Sequence, residues 1–194
     1  MKRVTLLLFL FLSVFLTCYG QYVKEDKTTN LRDLEGFSLR TNVTNWALLT
    51  PSIGAEYRVN EDWSVIVDGA WTKWNWKSKY RRFRVWEVKP QVRRYFRDKK
   101  DNYIGVVYNA GQYCIKLRES GKQGDFMGGS IALGHQFYAA KNVMVDAGIS
   151  VGYLHMSKRE EYKRINGADI KMGNLKNKNY FGPTGVSMTV VWKI

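Results

Sequence analysis

Eight times along this chain, apolar and polar residues alternate one for one over nine residues or more, with turn-forming residues between the segments. A period of two places every apolar side chain of a segment on one face of a strand and every polar one on the other. Residues 37–46 set Phe37, Leu39 and Val43 against Arg40 and Asn42, and residues 51–59 set Ile53, Ala55, Tyr57 and Val59 against Ser52, Gly54, Glu56 and Arg58. Residues 63–71 carry Trp63, Val65, Val67 and Trp71 against Ser64, Asp68 and Ala70, with Ile66 as a misfit. Residues 85–96 carry Trp86, Val88, Pro90 and Val92 against Glu87, Lys89, Gln91 and Arg93. Residues 103–114, 127–138, 143–155 and 184–194 repeat the pattern. Eight such strands close a small up-and-down barrel. A water-soluble barrel keeps its apolar faces inside, whereas a membrane barrel turns them outward.

Glycine placement chooses between the two. Gly54, Gly105, Gly111, Gly128, Gly134, Gly148, Gly152 and Gly185 all fall on the polar parity, accompanied by Ser130, Ser150 and Ser187. Glycine weakens a strand, so its concentration on one face implies crowding there, as inside a narrow barrel holding large polar side chains. Gly69, on the apolar parity, is an exception. The opposite face is rich in Val, Ile and Trp, with Trp63, Trp71, Trp86, Phe96, Phe137 and Trp192 near strand ends, where aromatic girdles meet headgroups. Connections alternate as well: "VNED", "RDKKDN" and "AAKN" are short, while "TKWNWKSKYRR", "KLRESGKQGD" and residues 156–182 are long, only the first outer connection, "ALLTP", being short. Short inner turns and long outer loops fit an outer-membrane barrel with both termini periplasmic. The chain is therefore expected to be all-β, an eight-stranded antiparallel up-and-down transmembrane β-barrel.

The first twenty residues stand apart from that fold. Lys2 and Arg3 precede an apolar run and then the small-residue pattern "CYG", which reads as a secretory signal over residues 1–20. A polar periplasmic segment over residues 21–36 would lead into a barrel over residues 37–194. Without Cys18, Cys114 would be the one thiol remaining, which excludes an intramolecular disulfide or a cysteine metal cluster in the exported chain. Removing Lys2 and Arg3 from 31 basic residues leaves 29 against 17 acidic ones, net +12. Export makes nucleic acid an implausible partner for that charge and points to lipid phosphates, surface polysaccharide or other proteins.

Charges on the inward face need partners, because a buried unpaired charge is very costly. Arg40, Glu56, Arg58, Asp68, Glu87, Lys89, Arg93 and Asp146 share that face and are expected to form an ionic network that plugs the interior and blocks solutes. Pro90 cannot donate to a ladder, so a bulge or a local break is expected there.

The stretches "TNVTNWALLTPSIGAEYRVNEDWSVIVDGAWTKWNWKSK", "VWEVKPQVRRYF" and "YIGVVYNAGQYCI" resemble a family of small Bacteroidota outer-membrane β-barrel proteins catalogued as a domain of unknown function. The likeness covers about residues 37–194. It implies an outer-membrane location, an eight-stranded barrel, no established enzymology, and for some members a gene beside those of fimbrial or surface-assembly proteins. The closing "VSMTVVWKI" also looks like the terminal strand signal of inserted barrels, although the chain ends in Ile194 rather than an aromatic.

Three features bear on function. His155-Met156-Ser157, with Glu160 and Glu161 beyond, resembles the His-x-Ser arrangement of outer-membrane lipid A deacylases, where a histidine would activate a serine nucleophile. The asparagine and glycines flanking that family's motif are missing, and a rim histidine beside a polar serine is ordinary at an interface. His135 has no carboxylate at ligand spacing, and no phosphate-cradling loop or metal motif is present, so no cofactor, metal or catalytic residue is expected. The segment holding Trp74, Trp76, Lys77, Lys79, Arg81 and Arg82 interleaves aromatics with cations, as an anion-binding surface would; the same residues also suit a barrel merely anchored at phosphate level. The expected role is non-enzymatic, a structural, surface-binding or surface-assembly accessory in the bacterial outer membrane. Its partners would be outer-membrane lipid, lipopolysaccharide and another outer-membrane or fimbrial assembly protein. An outer-leaflet hydrolase using His155 and Ser157, and a soluble periplasmic lipocalin-like carrier, are the alternatives.

Overall fold

The structure is a computed structural model that describes residues 36–76, 81–96, 100–116, 120–140, 142–165 and 168–194. The expected signal and nearly all of the polar lead lie outside the described residues. The strands are β1 (Gly36–Asn42), β2 (Ser52–Arg58), β3 (Trp63–Trp76), β4 (Arg81–Phe96), β5 (Asn102–Lys116), β6 (Ser120–Ala140), β7 (Val143–Ile165), β8 (Ala168–Asn174) and β9 (Lys178–Lys193), with one short helix, α1 (Val43–Ala47). Each strand from β1 to β7 pairs antiparallel with the next, and β9 pairs with both β7 and β1, closing a ring of eight. The short β8 pairs with the far end of β7 and lies outside the ring. The end that holds the start of β1 and the finish of β9 is called lower below, and the opposite end upper.

The wall is inside out relative to a water-soluble protein. Val88 is 40% exposed, and Ile53, Val65, Val106, Ile131, Ile149 and Val186 also project outward. Arg93 is 3% exposed, and Arg40, Glu56, Arg58, Gln136 and Asp146 are buried in the lumen. Closure leaves no sheet edge inside the ring, so the backbone groups of the wall are satisfied by neighbours, the condition for strands to cross hydrocarbon. No helix among the described residues is long and apolar enough to cross a membrane. Ile66, the misfit in the alternation, points inward and is fully buried; Val107 with Ala132, and Met144 with Val191, form two further small buried apolar clusters.

Aromatics mark two levels on the outer wall. Phe37, Trp63, Phe96, Phe137 and Trp192 lie exposed low on their strands, and Trp46, Trp71, Trp86, Tyr153 and Phe181 lie exposed higher up. Trp63 and Trp71 are separated by about 26 Å along β3 at about 3.3 Å per residue. A tilt of roughly 40° reduces that to about 20 Å of height, near the apolar thickness such barrels present.

Three features depart from expectation. β1 stops at Asn42 rather than running to residue 46, because the Asn42 side chain accepts from Thr44 N (2.9 Å) and Asn45 N (3.4 Å) and so caps the single turn of α1. The segments expected as long outer loops are largely continued ladder. Trp74 faces Phe83 and Trp71 faces Trp86 across β3 and β4, while β6 and β7 reach 21 and 23 residues. A membrane strand needs about 9–11 residues, so these hairpins stand well above the upper girdle. Apolar alternation ends at the upper aromatic level, but pairing persists wherever cross-strand aromatic and β-branched contacts support it. At Pro90 the β4–β5 pairing passes from Val88↔Ala110 directly to Gln91↔Val107 with register unchanged, which is a local break and not a bulge.

Candidate functional site

The lumen is organised around Arg40, Arg93 and Asp146. Arg40 reaches Glu56 (2.9 Å), Asp68 (3.0 Å) and Asp146 (3.4 Å), and Arg93 pairs with the same Asp146. Lys89 pairs with Glu87 higher on the wall, at 2.9 Å. Arg58 sits lower, donating to Gln136 Oε1 (3.3 Å), its guanidinium 3.8 Å from the Tyr95 ring centroid. All eight charged residues expected inside are therefore in the lumen, although they form one five-membered cluster, one separate pair and one outlying arginine. Four cations thus meet four anions in the filling.

Two tyrosines and a glutamine complete it. Tyr95 donates to Glu56 Oε1 (2.6 Å), Gln136 donates to Tyr95 (3.3 Å), and Tyr103 donates to Asp146 Oδ1 (2.7 Å) beneath the Arg93 guanidinium, which lies 3.8 Å from its ring. Sequence reasoning missed these three because it tracked formal charge. Their signal was parity alone: Tyr95 follows Arg93 by two residues, Tyr103 precedes Gly105 by two, and Gln136 follows Gly134 by two. The crowding read from the glycines has a concrete cause. A Cβ at Gly134 or Gly148 would stand 2.3 or 2.4 Å from the Tyr103 hydroxyl. Above the network lies a cavity of about 570 Å³ with Asn42, Ser52, Asn109, Ser150, Thr184 and Thr189 on its walls.

Two adjoining concavities of opposite character meet at Trp71 and Trp86, the upper lined from β3 to β7 and the lower by α1, β2, β3 and β4. The upper, about 610 Å³, is lined by Lys73, Arg82, Arg84 and Lys158, with Asp125 and Glu160 at its far side. Lys158 is 3.1 Å from Asp125. Glu160 accepts from Lys171, from Tyr162 (2.5 Å) and from Gln123 (2.8 Å). The Lys171 bond and then the Tyr162 bond hold the Glu160 carboxyl below its ordinary range, and the same contact with Glu160 pushes the Tyr162 hydroxyl up. The lower concavity, about 530 Å³, is lined by Trp46, Ile53, Gly69 and Val88. Trp71 and Trp86, opposite each other across the ladder, border both.

Of the six residues expected to form an anion-binding surface, the described side chains of Trp74, Arg81 and Arg82 point to different surroundings. Arg82 lines the upper concavity. Arg81 is exposed on the opposite parity, and Trp74 donates its indole N–H to the Leu49 carbonyl (2.8 Å), tying β3 to the β1–β2 connection. Trp76 ends β3, its backbone paired with Arg81; Lys77 and Lys79 lie outside the described residues. Lys73 and Arg84 take their place beside Arg82, because 73, 82 and 84 share a face with Trp71 and Trp86.

His155 and Ser157 sit on β7 opposite Met127 and Asp125. The His155 ring nitrogen lies 2.7 Å from Asn179 Oδ1, and among the described residues no hydrogen bond joins His155 to Ser157. Beyond Ser157 a register shift accompanies the left-handed backbone of Lys158 (φ 47°) and re-aims Glu160 toward Lys171 and Gln123. Glu160, one of the two carboxylates expected beyond the motif, is thus engaged elsewhere. His135 Nδ1 is 3.1 Å from Asn102 Oδ1, and among the described residues no group of three metal-ligating side chains is assembled.

A family profile described as "Protein of unknown function (DUF3575)" matches residues 6–194. No curated protein matches the chain. Among solved structures, Neisserial surface protein A (NspA) is 19% identical; the match covers 82% of this chain and 98% of that one, with a TM-score of 0.48.

Proposed function

We propose that this chain, which belongs to the DUF3575 family, is a non-enzymatic β-barrel of the bacterial outer membrane whose projecting basic hairpins bind anionic outer-leaflet lipid such as lipopolysaccharide. The observation that carries this reading is the inverted wall: apolar side chains outside between two aromatic levels, a network of four cations and four anions inside, and long cationic hairpins beyond the upper rim. Strands with that polarity are stable in hydrocarbon and unstable in water. Above the upper girdle, Lys73, Arg82, Arg84, Lys122, Lys163 and Lys171 stand where lipid phosphates would meet them. A surface-assembly partner would meet the same hairpins.

The test combines fractionation with binding. Full-length protein should stay with the membrane until detergent is added, migrate faster on gels before boiling than after, and bind lipopolysaccharide in micelles with an affinity that falls as salt rises. Release without detergent would return the soluble-carrier alternative, and equal binding to zwitterionic lipid would overturn the anionic role. Unchanged lipid A acylation in His155→Ala and Ser157→Ala strains is expected; a changed acylation pattern would install the hydrolase reading instead.

A further inference from the structure

The two concavities adjoin at the Trp71–Trp86 pair, the lower one apolar and bounded by α1, β2, β3 and β4, the upper one basic and extending from β3 and β4 across to β7. We propose that they form one site for a single phosphorylated, acylated lipid of the outer leaflet, an acyl chain lying in the lower groove and a phosphate in the upper basin. The inference rests on the outer-membrane reading and adds to it a defined location and a stoichiometry of one.

Gly69 is the first observation that requires an explanation. It lies on the apolar parity in mid-strand, as Gly129 also does on β6, where glycine costs stability. A Cβ there would meet only the backbone oxygens of Ile53 at 3.8 Å and Glu87 at 3.9 Å, ordinary contact distances, and its backbone is not left-handed. Neither crowding nor conformation demands glycine. What its missing side chain leaves is the floor of the groove. The Trp46 indole, on α1, forms one side of that groove and is held by its N–H to Thr41 Oγ1 (2.8 Å). The helix thus has a use that its brevity would not suggest.

Charge supplies the other half. In the upper basin, Lys73, Arg82, Arg84 and Lys158 exceed the two acids, and both acids are already engaged, Asp125 by Lys158 and Glu160 by Lys171. The remaining field is positive and suits a phosphate, which arginine binds in a forked geometry. A single acyl chain binds only marginally, so the groove gains selectivity from the cations above it, and the cations gain it from the groove. Trp71 is 66% exposed and Trp86 41%, placing two amphipathic rings where an acyl chain meets its headgroup.

The experiment is native mass spectrometry of full-length protein in micelles, with diphosphoryl lipid A and its dephosphorylated form as probes. Wild type should retain one diphosphoryl lipid A per chain and hold the dephosphorylated form at least about tenfold more weakly. Gly69→Leu, which fills the groove, and the pair Arg84→Gln with Lys73→Gln should each weaken retention by about tenfold or more. Gly129→Leu serves as control, since a side chain there enters open space on the lipid face of β6. Heat-modifiable migration confirms folding of every variant, and Trp46→Ala replaces Gly69→Leu if the latter fails to fold. Charge variants that weaken binding while Gly69→Leu and Trp46→Ala do not would reduce the contact to diffuse attraction; that result overturns the site and leaves the outer-membrane role standing. Equal retention of both probes, or retention of neither by wild type, also overturns it.

Discussion

Asp146 shows what a charge inside this barrel needs. It is fully buried, and its two oxygens are shared among Arg93, Arg40 and Tyr103. Removing its charge leaves two buried arginines short of a counter-ion, which in comparable settings costs about 3–5 kcal/mol. Asp146→Asn should therefore lower the urea midpoint of the protein in micelles by an amount equivalent to that cost, and adding Arg93→Gln should recover part of it. A loss below about 1 kcal/mol would mean that water screens the network as it does a surface pair. Each member of the cluster announced its direction by parity, but not its partner. Arg40 and Asp146 are 106 residues apart in the chain, and only ring closure brings β1, β4 and β7 to one level of the lumen.

At the scale of elements, alternation located every ring strand and misjudged the upper ends. Alternation reports an environment that differs between two faces, and above the upper aromatic level the two faces no longer differ. The hairpins there persist through backbone pairing and side-chain ties such as Glu160 with Lys171, which joins β7 to β8. The folded state holds the Glu160 carboxyl below its ordinary range, first through Lys171 and then through Tyr162. The stabilisation is therefore complete above the ordinary carboxylate range and is lost as pH falls through the lower folded value. Acidification from about pH 7 to about pH 3 should speed amide hydrogen exchange over residues 160–174 beyond its intrinsic change, and Glu160→Gln should abolish the difference. Invariant protection across that range would assign hairpin order to the backbone ladder alone.

For the whole molecule, eight strands leave a lumen about wide enough for side chains. Here those side chains cross from Arg40 on β1 to Arg93 on β4 and Asp146 on β7, closing the lower half, while the cavity of about 570 Å³ occupies the upper half. Full-length protein reconstituted in planar bilayers is expected to show no steady ion conductance. A stable open level would require a continuous water path past the network, contrary to the packing around Tyr95 and Tyr103, both 1% exposed.

The sequence by itself determined the number of strands in the ring, their antiparallel order, and which face of each looks inward, because a period of two and a one-sided distribution of glycine are local properties of the chain; it did not show β8. It also marked Gly69 as an anomaly, without saying why. Only the tertiary structure decided which charges meet, why Tyr103 requires glycines beside it, and that Lys73, Arg82 and Arg84 gather above Trp71 and Trp86 while Trp74 turns away. Those facts depend on register between strands distant in sequence, and register is settled by closure of the ring, where every residue's neighbours follow from all eight pairings together.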